Sequence, residues 1–170
     1  INHATKSIAS TPTQFWGLCG DHGVLVSASN GKSYFVSFAC HGNNPGLYRV
    51  DITLDQAGRS EQQQQAANMM LVPLGWRDVD GHLSAVSKGP LRDWVFFSSE
   101  TAEDNFNSST SGWVAYRQEI MAMNVLTGEV RRMAHHRSRG LGNGSYWNQP
   151  RVSSSWDGTV VLWNSNFNTS

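Results

Sequence analysis

The residues best suited to chemistry are His135-His136-Arg137, which follow the alternating stretch Val130–Ala134 with Arg131, Arg132 and Arg139 nearby. An imidazole in that setting can serve as a general base or a metal ligand, while Arg137 stabilises a developing carboxylate charge. The competing reading buries one histidine at the strand end, where it bonds backbone, and leaves its neighbour in water. A second group, Tyr146-Trp147-Asn148-Gln149, joins a Gly-rich loop to a strand. Ring faces pack on the apolar side of a pyranose and amides bond its hydroxyls, so this group reads as a sugar contact. Alternatively its aromatics are wedges packed in the core. The third candidate, His82, lies in Asp80–Val86 (DGHLSAV) and either contacts a ligand or bridges adjacent loops by hydrogen bonds.

Other chemistries find no carrier. Six histidines at positions 3, 22, 41, 82, 135 and 136 lack ligand spacing such as HExxH. Cys19 and Cys40 make neither a CxxC nor a Cys/His zinc pattern; they can form one bridge or remain two half-buried thiols. Asp78 and Asp80 lack the further acids of an EF-type calcium loop, and no GxSxG elbow, P-loop or dinucleotide fingerprint occurs. No metal and no cofactor is therefore expected, and a catalytic role is the less favoured reading.

A chain of 170 residues makes one ordinary domain. Its 13 basic and 13 acidic residues cancel, which removes any whole-chain attraction to nucleic acid or an anionic membrane. Charged residues are only 15%, but 7 Trp, 7 Phe and 4 Tyr supply the apolar bulk that a disordered chain lacks. No apolar run is long enough for a membrane-spanning helix. The start at Ile1, with neither Met nor a leader, suggests a processed product or a piece of something longer. N-x-S/T sequons at Asn107, Asn143 and Asn168 fall in predicted loops.

Short strands bounded by turns must position these residues. Val24–Ser29 and Ser33–Ala39 flank Asn30-Gly31, whose tolerance of positive φ predicts a tight hairpin. Gly46–Thr53, Trp94–Ser99, Glu119–Val125, Val130–Ala134, Pro150–Ser155 and Thr159–Ser165 read as further strands. Helical composition is confined to Arg59–Leu71, and Thr101–Gly112 and Ser138–Ser145 read as loops. In Ser155–Trp163, Asp157 is expected to cap a turn through an Asx-type bond. The runs at 33–39, 94–99 and 159–165 recur at offsets of 61 and 65 residues, each followed or preceded by a similar succession of strand and turn. Sheets that cannot bury both faces alone stack on their neighbours, which points to repeated blades.

The segments GHLSAV (81–86), WVFFSSE (94–100), QEIMAMNVLTGEVRRMAHHRS (118–138) and YWNQPRVSSSWDGTVVLWNSNF (146–167) resemble the repeats of TolB-type, WD-like bacterial β-propellers and their secreted relatives. Trp156 stands where the usual turn of those repeats has Pro. The resemblance implies an all-β fold, a β-propeller segment of about three to four four-stranded antiparallel blades, fewer than a closed ring needs. Blade units are expected near 14–58, 72–134 and 145–170, with excursions at 59–71 and 101–112. It places His82 on an inner strand beside a central channel. It also implies an extracellular or envelope protein that presents loops to a glycan or protein, with a partner chain or self-association completing the ring. Oligogalacturonate lyases, themselves propellers, suggest the alternative: a lyase of acidic oligosaccharides using His135, His136 and Arg137. A structural self-assembling subunit is the third reading.

Overall fold

Alternating Val24 and Val26 against Tyr34, Val36 and Phe38 builds a hairpin: β1 (Gly23–Ser27) pairs antiparallel with β2 (Ser33–Ala39), with Val24 opposite Val36. The computed structural model describes residues 22–39, 44–74, 80–100, 116–138 and 146–167. The connecting turn differs from the expected two-residue form. Gly31 N–H donates to the Ala28 carbonyl at 3.1 Å, Ala28 N–H donates to the Lys32 carbonyl at 2.9 Å, and within this turn Gly31 alone takes a positive φ, of 81°. That is the three-residue hairpin loop closed by a left-handed glycine. Asn30 contributes its side-chain oxygen instead, accepting the Lys32 N–H at 3.0 Å.

β3 (Gly46–Asp51) pairs with β2, and α1 (Glu61–Ala67) follows after a reciprocal capping box between Ser60 and Gln63. The helix buries no residue, which is why its sequence shows no apolar stripe. Met69 to Leu71, expected inside the helical excursion, belong instead to β4 (Met69–Pro73), which pairs antiparallel with β3. The first sheet, ordered β1-β2-β3-β4, thus reaches residue 73 and not 58.

The second sheet repeats the plan in β5 (Asp80–Ala85), β6 (Trp94–Glu100), β7 (Glu119–Asn124) and β8 (Val130–His135), ordered β5-β6-β7-β8. After a 3-10 turn at Tyr146–Asn148, the third unit is a hairpin of two short strands, β9 (Ser153–Ser154) and β10 (Val161–Leu162). The longer strands expected at 150–155 and 159–165 contract to these pairs.

Period-two alternation within β6 decides the packing. Val95 and Phe97 join Met121 and Met123 against Val36, Phe38 and Leu47 of the first sheet. Phe96, Ile120 and Ala122 face the other way and pack with Val152 and Val161 of the hairpin. The second sheet is therefore buried on both faces, and β6 reads as a continuous apolar run for that reason. First strands adjoin in series, β1 against β5 and β5 against β9. Polar ties reinforce the docking: Ser29 N–H and Oγ donate to the two Asp93 carboxylate oxygens at 2.6 and 2.5 Å, and Arg49 Nη1 donates to the Val125 carbonyl at 2.8 Å.

The cysteine pair, the loop at 101–112 and the three sequons lie outside the described residues. Among the described residues no helix is long and apolar enough to cross a membrane.

Candidate functional site

Antiparallel register gathers the chemistry-bearing residues at one end of the sheets. The start of β5 lies beside the end of β6, with His82 opposite Ser98 and Asp80 opposite Glu100. The start of β7 lies beside the end of β8, with Glu119 opposite His135. Gly81 makes the approach at β5 possible: its φ is 149°, and a Cβ there would stand 2.0 Å from the Ser98 carbonyl oxygen. No other residue fits that backbone without parting the strands.

On β5, Leu83 and Ala85 turn to the first sheet's core while His82 and Ser84 turn to the third unit. His82 Nε2 lies 3.4 Å from Gln149 Oε1 and 3.4 Å from Glu100 Oε1. The Glu100 side chain is only 7% exposed, so the imidazole stands beside a carboxylate withdrawn from water. The ring of His22, immediately before β1, sits 4.4 Å from that of His82, tilted by 50°. Four residues from three successive units thus meet at one point.

Two sequence candidates, His82 and Gln149, are brought together here. Trp147 lies two residues before Gln149 on the 3-10 turn and is 82% exposed, while Asn148 is half-buried. Tyr146 opens the same turn. His22 and Glu100 were not singled out in the sequence. His22 reaches the cluster through the packing of β1 against β5 and Glu100 through the register of β6 on β5, and no local motif announces them.

His135, His136 and Arg137 occupy a different setting. His136 is fully buried; its Nδ1 accepts the Ser138 N–H at 3.1 Å, and its Nε2 donates to the Ser99 carbonyl at 3.0 Å. Both ring nitrogens are spent on backbone, which fixes one neutral tautomer and ties the end of β8 to β6. His135 Nδ1 accepts the Arg137 N–H at 3.2 Å, and Arg137 is exposed, with a φ of 59°. Two cations of this region engage carboxylates: Arg131 Nε donates to Glu129 Oε1 at 2.7 Å, and Arg132 pairs with Glu119. Arg132 grips Glu119 with both Nε, at 2.7 Å, and Nη2. Those hydrogen bonds, then the carboxylate's charge, raise the Arg132 pKa.

Chemically, the His82 cluster can donate and accept hydrogen bonds, and it carries one buried acidic group. Among the described residues, no three His, Cys, Asp or Glu side chains are grouped so as to hold a metal ion. No family model matches the chain, and neither a curated protein nor a solved structure is significantly similar to it.

Proposed function

We propose that this chain is a sector of a β-propeller that binds a ligand without transforming it, presenting the turn before β9 to a glycan in an extracellular or envelope setting. The sector reading is supported by first strands that adjoin in series and by a middle sheet packed on both faces. The binding reading is carried by one observation: Trp147, a residue type with every reason to be buried, stands 82% exposed on a turn whose neighbouring amide is tied to His82. A wide apolar ring held next to amides suits the stacking and hydroxyl bonding of a pyranose. The lyase alternative has less in its favour, because the backbone already occupies both nitrogens of His136.

Titration calorimetry against a panel of oligosaccharides tests this. Trp147→Ala should weaken sugar binding by about tenfold, the scale of one lost stacking contact. The same change should leave the unfolding free energy within about 0.5 kcal/mol, as for other exposed sites. A variant that melts early would make Trp147 a packing residue, and an unchanged affinity would end the glycan reading.

A further inference from the structure

An Asn-Gly pair carries a covalent reactivity of its own. The main-chain nitrogen of the glycine, once it has lost its proton, attacks the side-chain carbonyl carbon of the asparagine, and no Cβ on the glycine obstructs it. The new C–N bond closes a succinimide as the bond to the side-chain amide breaks. That nitrogen leaves as ammonia, taking up a proton in place of the one the glycine gave up. Water then opens the ring at either carbonyl and leaves aspartate or isoaspartate. Asparagine and water thus become the acid and ammonia, with no oxidant or cofactor.

Asn30-Gly31 stands in the open at the tip of the β1–β2 hairpin. Both residues are exposed, and a Cβ built on Gly31 would meet nothing within 4 Å beyond its chain neighbours. Crowding does not guard this pair. Hydrogen bonds do, on each of the three groups the reaction uses. The Gly31 N–H donates to the Ala28 carbonyl at 3.1 Å. Asn30 Oδ1 accepts the Lys32 N–H at 3.0 Å, and Nδ2, the leaving group, donates to the Tyr34 hydroxyl at 2.8 Å. Tyr34 is a fixed post for that last bond. It is 4% exposed, it pairs with Val26 on one side and Asp51 on the other, and the Arg49 guanidinium lies 4.7 Å from its ring centroid.

We propose that Asn30 is a latent modification site, held unreactive by the native hairpin and released to deamidate when that turn opens. Ring closure breaks the bond from Nδ2 to Tyr34 and frees the Gly31 nitrogen from Ala28, so it proceeds from the opened turn. The two products differ in consequence. Aspartate at this position still accepts from the Lys32 N–H and can accept the proton of the Tyr34 hydroxyl. Isoaspartate adds a main-chain carbon inside the loop, which disturbs the register that sets Val24 opposite Val36. That lesion strikes the strands that bury Val26, Val36 and Phe38.

Prolonged incubation at neutral pH, with the chain folded or in concentrated urea, followed by peptide mapping and isoaspartyl methylation, provides the test. In urea Asn30 should convert at the rate of Asn143-Gly144, the chain's other Asn-Gly pair. In the folded chain Asn30 should convert more than about tenfold more slowly than in urea, since one net hydrogen bond already carries about that factor. Tyr34→Phe keeps the buried ring and removes the acceptor for Nδ2. It should speed conversion in the folded chain several-fold and leave the rate in urea unchanged. Equal rates for the unmodified chain, folded and in urea, would overturn the proposal whether or not the variant folds. So would a Tyr34→Phe chain that melts cooperatively and converts no faster.

Discussion

The second sheet and the third-unit hairpin are similar in sequence character and opposite in how they are held. Phe96 in β6 and Leu162 in β10 both face forward along the series, yet Phe96 is 4% exposed and Leu162 is 67% exposed. The difference comes from what lies in front of each: the hairpin covers Phe96, and no described residue of the chain covers Leu162. On its rear side the hairpin keeps only Val161 and Val152 in a core, and two-stranded ribbons are marginal alone. Hydrogen bonds do the rest, through Ser84 and through the Trp156 carbonyl, which accepts the Ser87 and Lys88 N–H groups at 2.9 and 3.1 Å. Apolar sequence alone does not say whether a strand is core or surface; the neighbour in the series does.

The sharpest break in this comparison is a pair of truncations. Phe97→Ala removes a fully buried ring from the core shared by the first two sheets and should cost about 3–5 kcal/mol in denaturant unfolding. Leu162→Ala, at an exposed position, should change stability by less than about 0.5 kcal/mol. Equal costs would mean that the hairpin is packed as tightly as the sheet.

A smaller effect isolates the polar docking. Ser84 Oγ accepts the Ser154 N–H at 2.9 Å and also shares a hydrogen bond of 2.9 Å with the Ser154 hydroxyl. Ser84→Ala removes both and leaves a half-buried backbone donor without its acceptor, so about 1–2 kcal/mol should be lost. Hydrogen exchange should place that loss at Ser154 and its neighbours, with the β6–β7 ladder still protected.

The strands and their pairing were legible wherever alternation was strong, as at Ser33–Ala39, which forms β2 end to end. Register between repeats was not. The offset of 61 residues sets Val36 on Phe97, but those two meet in one core from opposing sheets. Units stacked in one sense require equivalent residues on the same side of each sheet. The offset of 65 sets Leu162 on Phe97, whereas Val161 takes the inward place. A shift of one residue exchanges the faces of a strand, so an alignment correct in composition can be wrong in every contact. β4 was hidden because Met69–Pro73 follows an exposed polar helix without a turn signal. Of the site, His82 and Gln149 were visible as residue types, but the meeting of His82 with His22 and with Gln149 joins segments 60 and 67 residues apart, and its meeting with Glu100 depends on the register of β5 on β6; no local pattern encodes either.

The smallest effect concerns the turn that anchors the hairpin. Asp157 Oδ1 accepts the Thr159 N–H at 3.1 Å, the Thr159 hydroxyl at 2.8 Å and the Ser155 hydroxyl at 2.8 Å. These bonds, with the Ser155 hydroxyl contributing most, lower its pKa from 3.8 to about 2. A carboxylate whose pKa is depressed on folding stabilises the folded state above its unfolded value and stops doing so as pH falls through the folded one. The contribution is therefore complete above about pH 4 and gone near pH 2. Asp157→Asn keeps an acceptor at the same place and removes the titration. The difference in melting temperature between the two chains should be constant from neutral pH down to about 4 and should shrink to nothing toward 2. Because the group is exposed, the difference is small and salt reduces it further. A gap that persists unchanged at the acid end would show that the turn depends on the shape of the side chain and not on its charge.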